Sequence, residues 1–202
     1  MFKSEALTAN EAAAASRVPL KQVHRIIDAG LLAGAVETRH GTRMIGSAGL
    51  LALKLAYVTA DVLKPAARRR AVLRLLEHPN KPVICDQAVT VEVEGIEAEL
   101  KDGLAEFEAA KAMVATDPEI VGGAPRFAGT RVPVHDVADR LAKGEMAETL
   151  LADYPSLDER RIGLAPVYAA AYPRRGRPPT PPWRRSPAKS SERLNYDDLP
   201  PG

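Results

Sequence analysis

Apolar residues at helical spacing run through most of this chain. Leu20, Val23, Ile26 and Ile27 recur at steps of three, three and one, which predicts an amphipathic helix that starts at Pro19 and ends at Gly30. Ahead of it, Thr8 and Glu11 have the spacing of a capping box for a short helix through residues 12–15. The two make a helix, a tight turn and a second helix. Residues 31–45 then carry Arg39-His40-Gly41-Thr42-Arg43, the composition of a hairpin tip with basic flanks. Ser47 is placed to cap a third helix through residue 63. Its Leu50, Leu51, Leu53, Leu55, Val58 and Val62 spread around the axis, so burial on several sides is expected, including in a dimer interface. Pro65 restarts the chain into a fourth helix over residues 66–77, with Arg68, Arg69, Arg70 and Arg74 opposite Val72, Leu73, Leu75 and Leu76.

Pro79 and Pro82 mark a boundary, after which the pattern changes to β-branched alternation. Residues 83–85 and 89–93 read as a two-stranded element, with Cys85 a small buried thiol in the first strand. Ile96, Leu100, Leu104, Phe107 and Met113 line one face of a helix over residues 96–116. Residues 117–134, DPEIVGGAPRFAGTRVPV, break every periodicity. Gly122-Gly123 and Gly129-Thr130 bracket one brief extended segment, Pro125-Arg126-Phe127, so a compact hairpin or paired turn is expected. Val134, Val137, Ala138 and Leu141 then mark a helix stopped by Lys143-Gly144, and residues 146–152 a second. Ser156 with Glu159 has the capping-box spacing for a third, through Ile162, Leu164, Val167, Tyr168 and Ala171, with Pro166 expected to bend it.

Composition narrows the fold class to mainly α. Aromatics make up 4 % of the chain, and alanine and leucine dominate its apolar residues, which favours close-packed helices over a sandwich of sheets. The expected architecture is a winged helix-turn-helix module over residues 1–78 and a small helical domain with a short β element over 79–172. An extended carboxyl tail follows over 173–202. One cysteine excludes an intramolecular disulfide, and the start of the chain has neither the basic nor the apolar region of a secretory signal, so a cytoplasmic location is expected. Lys54 and Asp61 interrupt the longest apolar run, and no membrane span is expected. The net charge of +2 is unevenly placed: the tail from Pro173 carries seven basic and three acidic residues, a balance of +4. That tail contains eight prolines and no apolar period, cannot build a core, and suits an anionic partner.

Chemistry is not indicated. No nucleophile has a companion base, no glycine spacing cradles phosphate, and His24 and His40 lack the neighbours that metal ligation requires. Asp153, Asp158 and Glu159 are placed at helix starts, where they complement the dipole. A binding protein without catalytic residues, metal or cofactor is expected. Lys21, Gln22, His24 and Arg25 on the polar face of the second helix are the residue types that read base edges in a major groove, and Arg39 and Arg43 on the hairpin would meet phosphates.

The amino-terminal third resembles the winged helix-turn-helix of MerR-type regulators, through Glu11-Ala12-Ala13, the second helix and the Gly30-Leu31 exit. Residues 117–134 resemble the core of a bacterial domain of unknown function found in VapB-type antitoxins, through Asp117 to Ile120, Gly122 to Pro125, Gly129 to Arg131 and Val132 to Val134. Asp153-Tyr154-Pro155 and the ending at Tyr168-Ala169 extend that resemblance. It implies a type II antitoxin, a homodimer that binds operator DNA and neutralises a PIN-domain ribonuclease toxin with its tail. In that reading Arg174, Arg175, Arg177, Arg184 and Arg185 approach the toxin's metal-binding carboxylates and Trp183 is the aromatic anchor. The alternative is a stand-alone regulator, because Arg175-Gly176-Arg177-Pro178 also has the core pattern of an AT-hook laid in a minor groove.

Overall fold

The computed structural model describes residues 5–174 apart from residues 80, 82, 87 and 88. Its described residues form eight α-helices and seven short strands, which bears out the mainly α class and the short β element.

Helix α1 (Ala9–Ser16) opens on the predicted capping box. Thr8 Oγ1 accepts from the Glu11 amide, and the Glu11 carboxylate accepts from the Thr8 amide at 2.8 Å. Arg17 ends α1 in a left-handed conformation, φ 54°, and this sharp reversal positions α2 (Leu20–Asp28). Pro19 sits one position earlier than its expected place inside the helix: it is the N-cap, and its carbonyl accepts from Gln22 and Val23. The predicted hairpin is β2 (Val36–Arg39) and β3 (Thr42–Ile45), turned by His40 and Gly41, both at positive φ. A strand that the sequence pattern did not reveal, β1 (Leu7–Thr8), pairs with β3 and completes a three-stranded sheet in the order β1-β3-β2.

Helix α3 (Ser47–Val58) is shorter than predicted, and Gly46 rather than Ser47 occupies its N-cap. The Gly46 amide is already tied to Ala35 O, so the chain enters the helix from the wing without a hydroxyl cap. Burial on several sides is borne out from Gly49 through Ala56, but the helices of the same chain supply it. Even Lys54 is 5 % exposed, and its ammonium reaches Glu99 at 3.1 Å. In α4 (Pro65–Glu77) the inward face is Ala67, Ala71, Val72 and Leu75, whereas Leu73, expected inside, is exposed.

Strands β4 (Val83–Asp86) and β5 (Val89–Val91) pair as predicted. The reading of Cys85 as a buried thiol concerns a side chain outside the described set. Helix α5 (Val93–Ala112) starts three residues earlier than predicted and ends earlier, because β6 (Val114–Ala115) takes up an extended pairing with β7 (Arg126–Phe127). Three helices follow, α6 (Val134–Ala142), α7 (Ala147–Asp153) and α8 (Glu159–Ala171), and α8 runs through Pro166 without interruption. Asp158, not Ser156, caps α8, accepting from the Arg161 amide at 2.7 Å. Asp153 closes α7 instead of opening a helix, and pairs with Arg140, which also holds Glu145.

Two cores result. The larger joins Val23, Ile26, Ile45 and the leucines of α3 to Leu100 and Phe107 of α5 and Ala171 of α8, so it draws on both sides of residue 78. The smaller gathers Phe127, Val134, Val137, Leu150 and Ile162 around the carboxyl-terminal helices. Helix α8 contributes to both, with Ala171 in the larger core and Ile162 and Ala165 in the smaller, and helix α1, part of the larger core, packs on α5 and α8.

Candidate functional site

Burial of Val23 and Ile26 turns the opposite face of α2 outward, and Lys21, His24 and Arg25 are exposed on it, with Gln22 half-buried at its edge. The wing stands beside this face. Arg43 of β3 donates to Asp28 at the end of α2 at 2.5 Å, an exposed contact between the hairpin and the helix. Arg39 donates twice to Glu37 on its own strand, at 2.8 and 3.1 Å. All six residues expected to meet DNA therefore lie on α2 and the adjoining hairpin. Each of the two hairpin arginines is held by a carboxylate, Arg39 by a residue two positions away and Arg43 by one 15 positions away, and only the second pair is beyond the reach of spacing.

The turn cassette acts as a clasp. Phe127 is fully buried, its amide donates to Val132 O, and its carbonyl accepts from the Thr130 amide and hydroxyl. Ala128 N donates to Met113 O and Val134 N to Pro125 O, so the segment joins the end of α5 to the start of α6. Gly129, at φ 78°, provides the left-handed turn that a side chain there would strain. The brief extended segment foreseen between the glycine turns is β7, and Phe127 is its anchor.

At the far end of the same domain Tyr172 follows α8. Its hydroxyl donates to the Glu11 carboxylate at 2.7 Å, and its carbonyl lies 2.7 Å from Nε2 of His135. The ring stacks on Phe107 and meets the ring of Tyr168 at a tilt of 43°. Burial pushes the Glu11 carboxyl upward, but the hydrogen bonds from Tyr172 and Thr8 outweigh it and hold the group below its ordinary value. Burial first, and then the Glu11 carboxylate, push the Tyr172 phenol well above the usual range, so it stays a donor. Two positions on, Arg174 pairs with Asp136 and, at 3.2 Å, with Asp139 of α6. Arg175, Arg177, Trp183, Arg184 and Arg185 lie outside the described residues. A cleft of about 910 Å³ runs here, between Asn10 of α1, the Gly122-Gly123 turn, His135 and Arg174.

This latch has a testable pH dependence. A carboxyl whose folded value lies below its unfolded one stabilises the fold above the unfolded value, about 4.3, and loses that contribution as pH falls through the folded value. Tyr172→Phe is expected to cost about 1.5 kcal/mol at neutral pH, the lower end for a hydrogen bond to a charge. The difference in melting temperature between the variant and the parent should shrink below about pH 4. A gap that stays constant from pH 7 to pH 3 would show that Glu11 plays no part.

Among the described residues no three His, Cys, Asp or Glu side chains gather as a metal ion would need, and no helix is long and apolar enough to cross a membrane. The family model "Protein of unknown function (DUF433)" matches residues 114–169, from β6 through the clasp and nearly to the end of α8. Over 187 residues the chain is 33 % identical to the "Uncharacterized protein y4eO" of Sinorhizobium fredii (strain NBRC 101917 / NGR234), covering 86 % of this chain and 85 % of that protein. The chain belongs to the y4eO family. The DUF433 domain within it holds the clasp, the smaller core and most of α8, while Glu11, the partner of Tyr172, lies far outside the matched segment. No solved structure matches the chain.

Proposed function

We propose that this y4eO-family protein is a VapB-type antitoxin: a homodimeric, cytoplasmic, operator-binding protein whose carboxyl tail inhibits a PIN-domain ribonuclease. The observation that carries the DNA-binding half is the exposed face of Lys21, His24 and Arg25 on α2, beside a hairpin that reaches the end of that helix through the Arg43–Asp28 pair. The toxin half is supported by the DUF433 match, the family to which the antitoxin resemblance attaches, and by the Arg- and Pro-rich sequence after Tyr172. In this mechanism α2 enters the major groove, and the wing arginines exchange their carboxylates for phosphates. The tail arginines pair bidentately with the carboxylates that hold the toxin's metal, with no chemistry contributed by the antitoxin.

Binding to DNA from upstream of the protein's own reading frame tests the first half. Arg25→Ala is expected to weaken specific binding by about 1–3 kcal/mol and to relax sequence preference at the position it reads. Arg39→Ala should weaken binding evenly across sequences and lower the salt slope by about one. Unchanged affinity in an Arg25→Ala, Lys21→Ala double variant would remove α2 from the interface. Co-purification with the product of the neighbouring reading frame tests the second half.

A further inference from the structure

An apolar groove of about 530 Å³ opens between the wing and α4. Ala6, Ala48, Leu73 and Leu76 supply its apolar wall, with Glu37 and Glu77 among its lining residues as well. Leu73 is 37 % exposed there, although it lies on a helix whose neighbouring apolar residues are packed inside. A groove with this lining fits a flat apolar ring flanked by cations.

The chain carries one such segment. Residues 181–185 read Pro-Pro-Trp-Arg-Arg and contain the protein's single tryptophan. We infer that Trp183 seats in the groove between the wing and α4 of its own chain, with Arg184 and Arg185 facing Glu37 and Glu77. Reach supports an intramolecular occupant. Arg174, from which the tail departs, lines the same cleft as Asn10, and Ala6, four positions before Asn10, lines the groove. Four residues span at most about 14 Å even when fully extended. Trp183 is nine positions past Arg174, about 28 Å of polyproline-like chain, twice the most that Asn10 and Ala6 can be apart. Charge supports it as well at Glu77, and at Glu37 the tail would share a carboxylate that already accepts from Arg39. The seat is a resting place from which a partner must lift the tail, and it holds whether or not that partner is a ribonuclease.

Because Trp183 is the sole tryptophan, its fluorescence reports on this site alone. In the full chain the indole emission is expected to be shifted to the blue, and acrylamide quenching to be weaker, relative to a free peptide of residues 175–190. Leu73→Glu, on an exposed position, should return both to the peptide values without lowering the melting temperature. The pair Glu37→Lys with Glu77→Lys should raise quenching, and Arg184→Glu with Arg185→Glu added to it should restore protection. This charge exchange decides the matter if Leu73→Glu disturbs folding. Emission equal to that of the peptide in the parent chain would overturn the seat. A blue shift that survives Leu73→Glu would place the indole elsewhere, and protection lost on dilution would assign it to a second copy; either result also overturns it.

Discussion

Under the proposed antitoxin function, a chain ended after Arg174 is expected to lose all neutralisation of a PIN-domain ribonuclease while binding operator DNA within about fivefold of the parent, less than the 1–3 kcal/mol that loss of one base contact costs. The position of the cut matters. Tyr172 closes the latch to Glu11, and Arg174 is paired with Asp136 and Asp139, so a chain cut earlier would confound loss of the tail with damage to the domain. Ending after Arg174 keeps both contacts and removes only residues 175–202. Ribonuclease activity measured with stoichiometric antitoxin checks the first part, and DNA titration at several salt concentrations the second. Full inhibition by the shortened chain would sink the tail mechanism. A loss of DNA affinity with a flatter salt dependence would instead favour the stand-alone regulator with an AT-hook-like tail.

Gly103→Leu should be the most damaging single change in the helical body. A Cβ at this position of α5 would lie 2.2 Å from the carbonyl oxygen of Ala15 in α1, and backbone cannot swing aside as a flexible side chain can. Overpacking typically costs 1–3 kcal/mol. With a backbone atom as the obstacle, a loss of about 3 kcal/mol is expected, lowering the melting temperature by roughly 6–12 °C in a chain of this size. Gly163→Ala in α8, where a Cβ meets nothing within 4 Å, should stabilise by about 0.5–1 kcal/mol. Gly129→Val meets no neighbour either, but its φ of 78° makes a cost of about 1–2 kcal/mol the expectation. Thermal melts of the three variants separate crowding from propensity and from backbone strain. Equal behaviour of Gly103→Leu and Gly163→Ala would show that α1 and α5 are not in the close contact described.

Local signals were legible from the residues and long-range ones were not. Thr8 with Glu11, the hairpin tip at His40-Gly41 and the stop at Gly144 each act within four residues, and each took the predicted form. Where two short polar residues competed for one cap, Ser156 and Asp158, spacing chose wrongly, because Asp158 is the residue in extended conformation directly before α8. Leu73 was assigned to the wrong side for a different reason. Small alanines, Ala67 and Ala71, form the packed face of α4, and hydrophobicity ranks a leucine above them although shape decides the contact. The exposed face of α2 could be read from its amphipathic spacing. The carboxylate held by Arg43 and the Tyr172–Glu11 pair depend on tertiary placement, 15 and 161 positions apart, whereas Glu37 and Arg39 share one face of a strand at a spacing of two.

Tyr172 and Glu11 are 161 positions apart in sequence. Within the described fold, helix α1 is therefore made well before two of the helices it packs on, α5 and α8. At the roughly 5–20 residues per second of translation, the amino-terminal module waits several seconds or more for the residue that latches it. A nascent chain has α1 and α2 early, but the support behind them is complete only when the whole described fold has been synthesised.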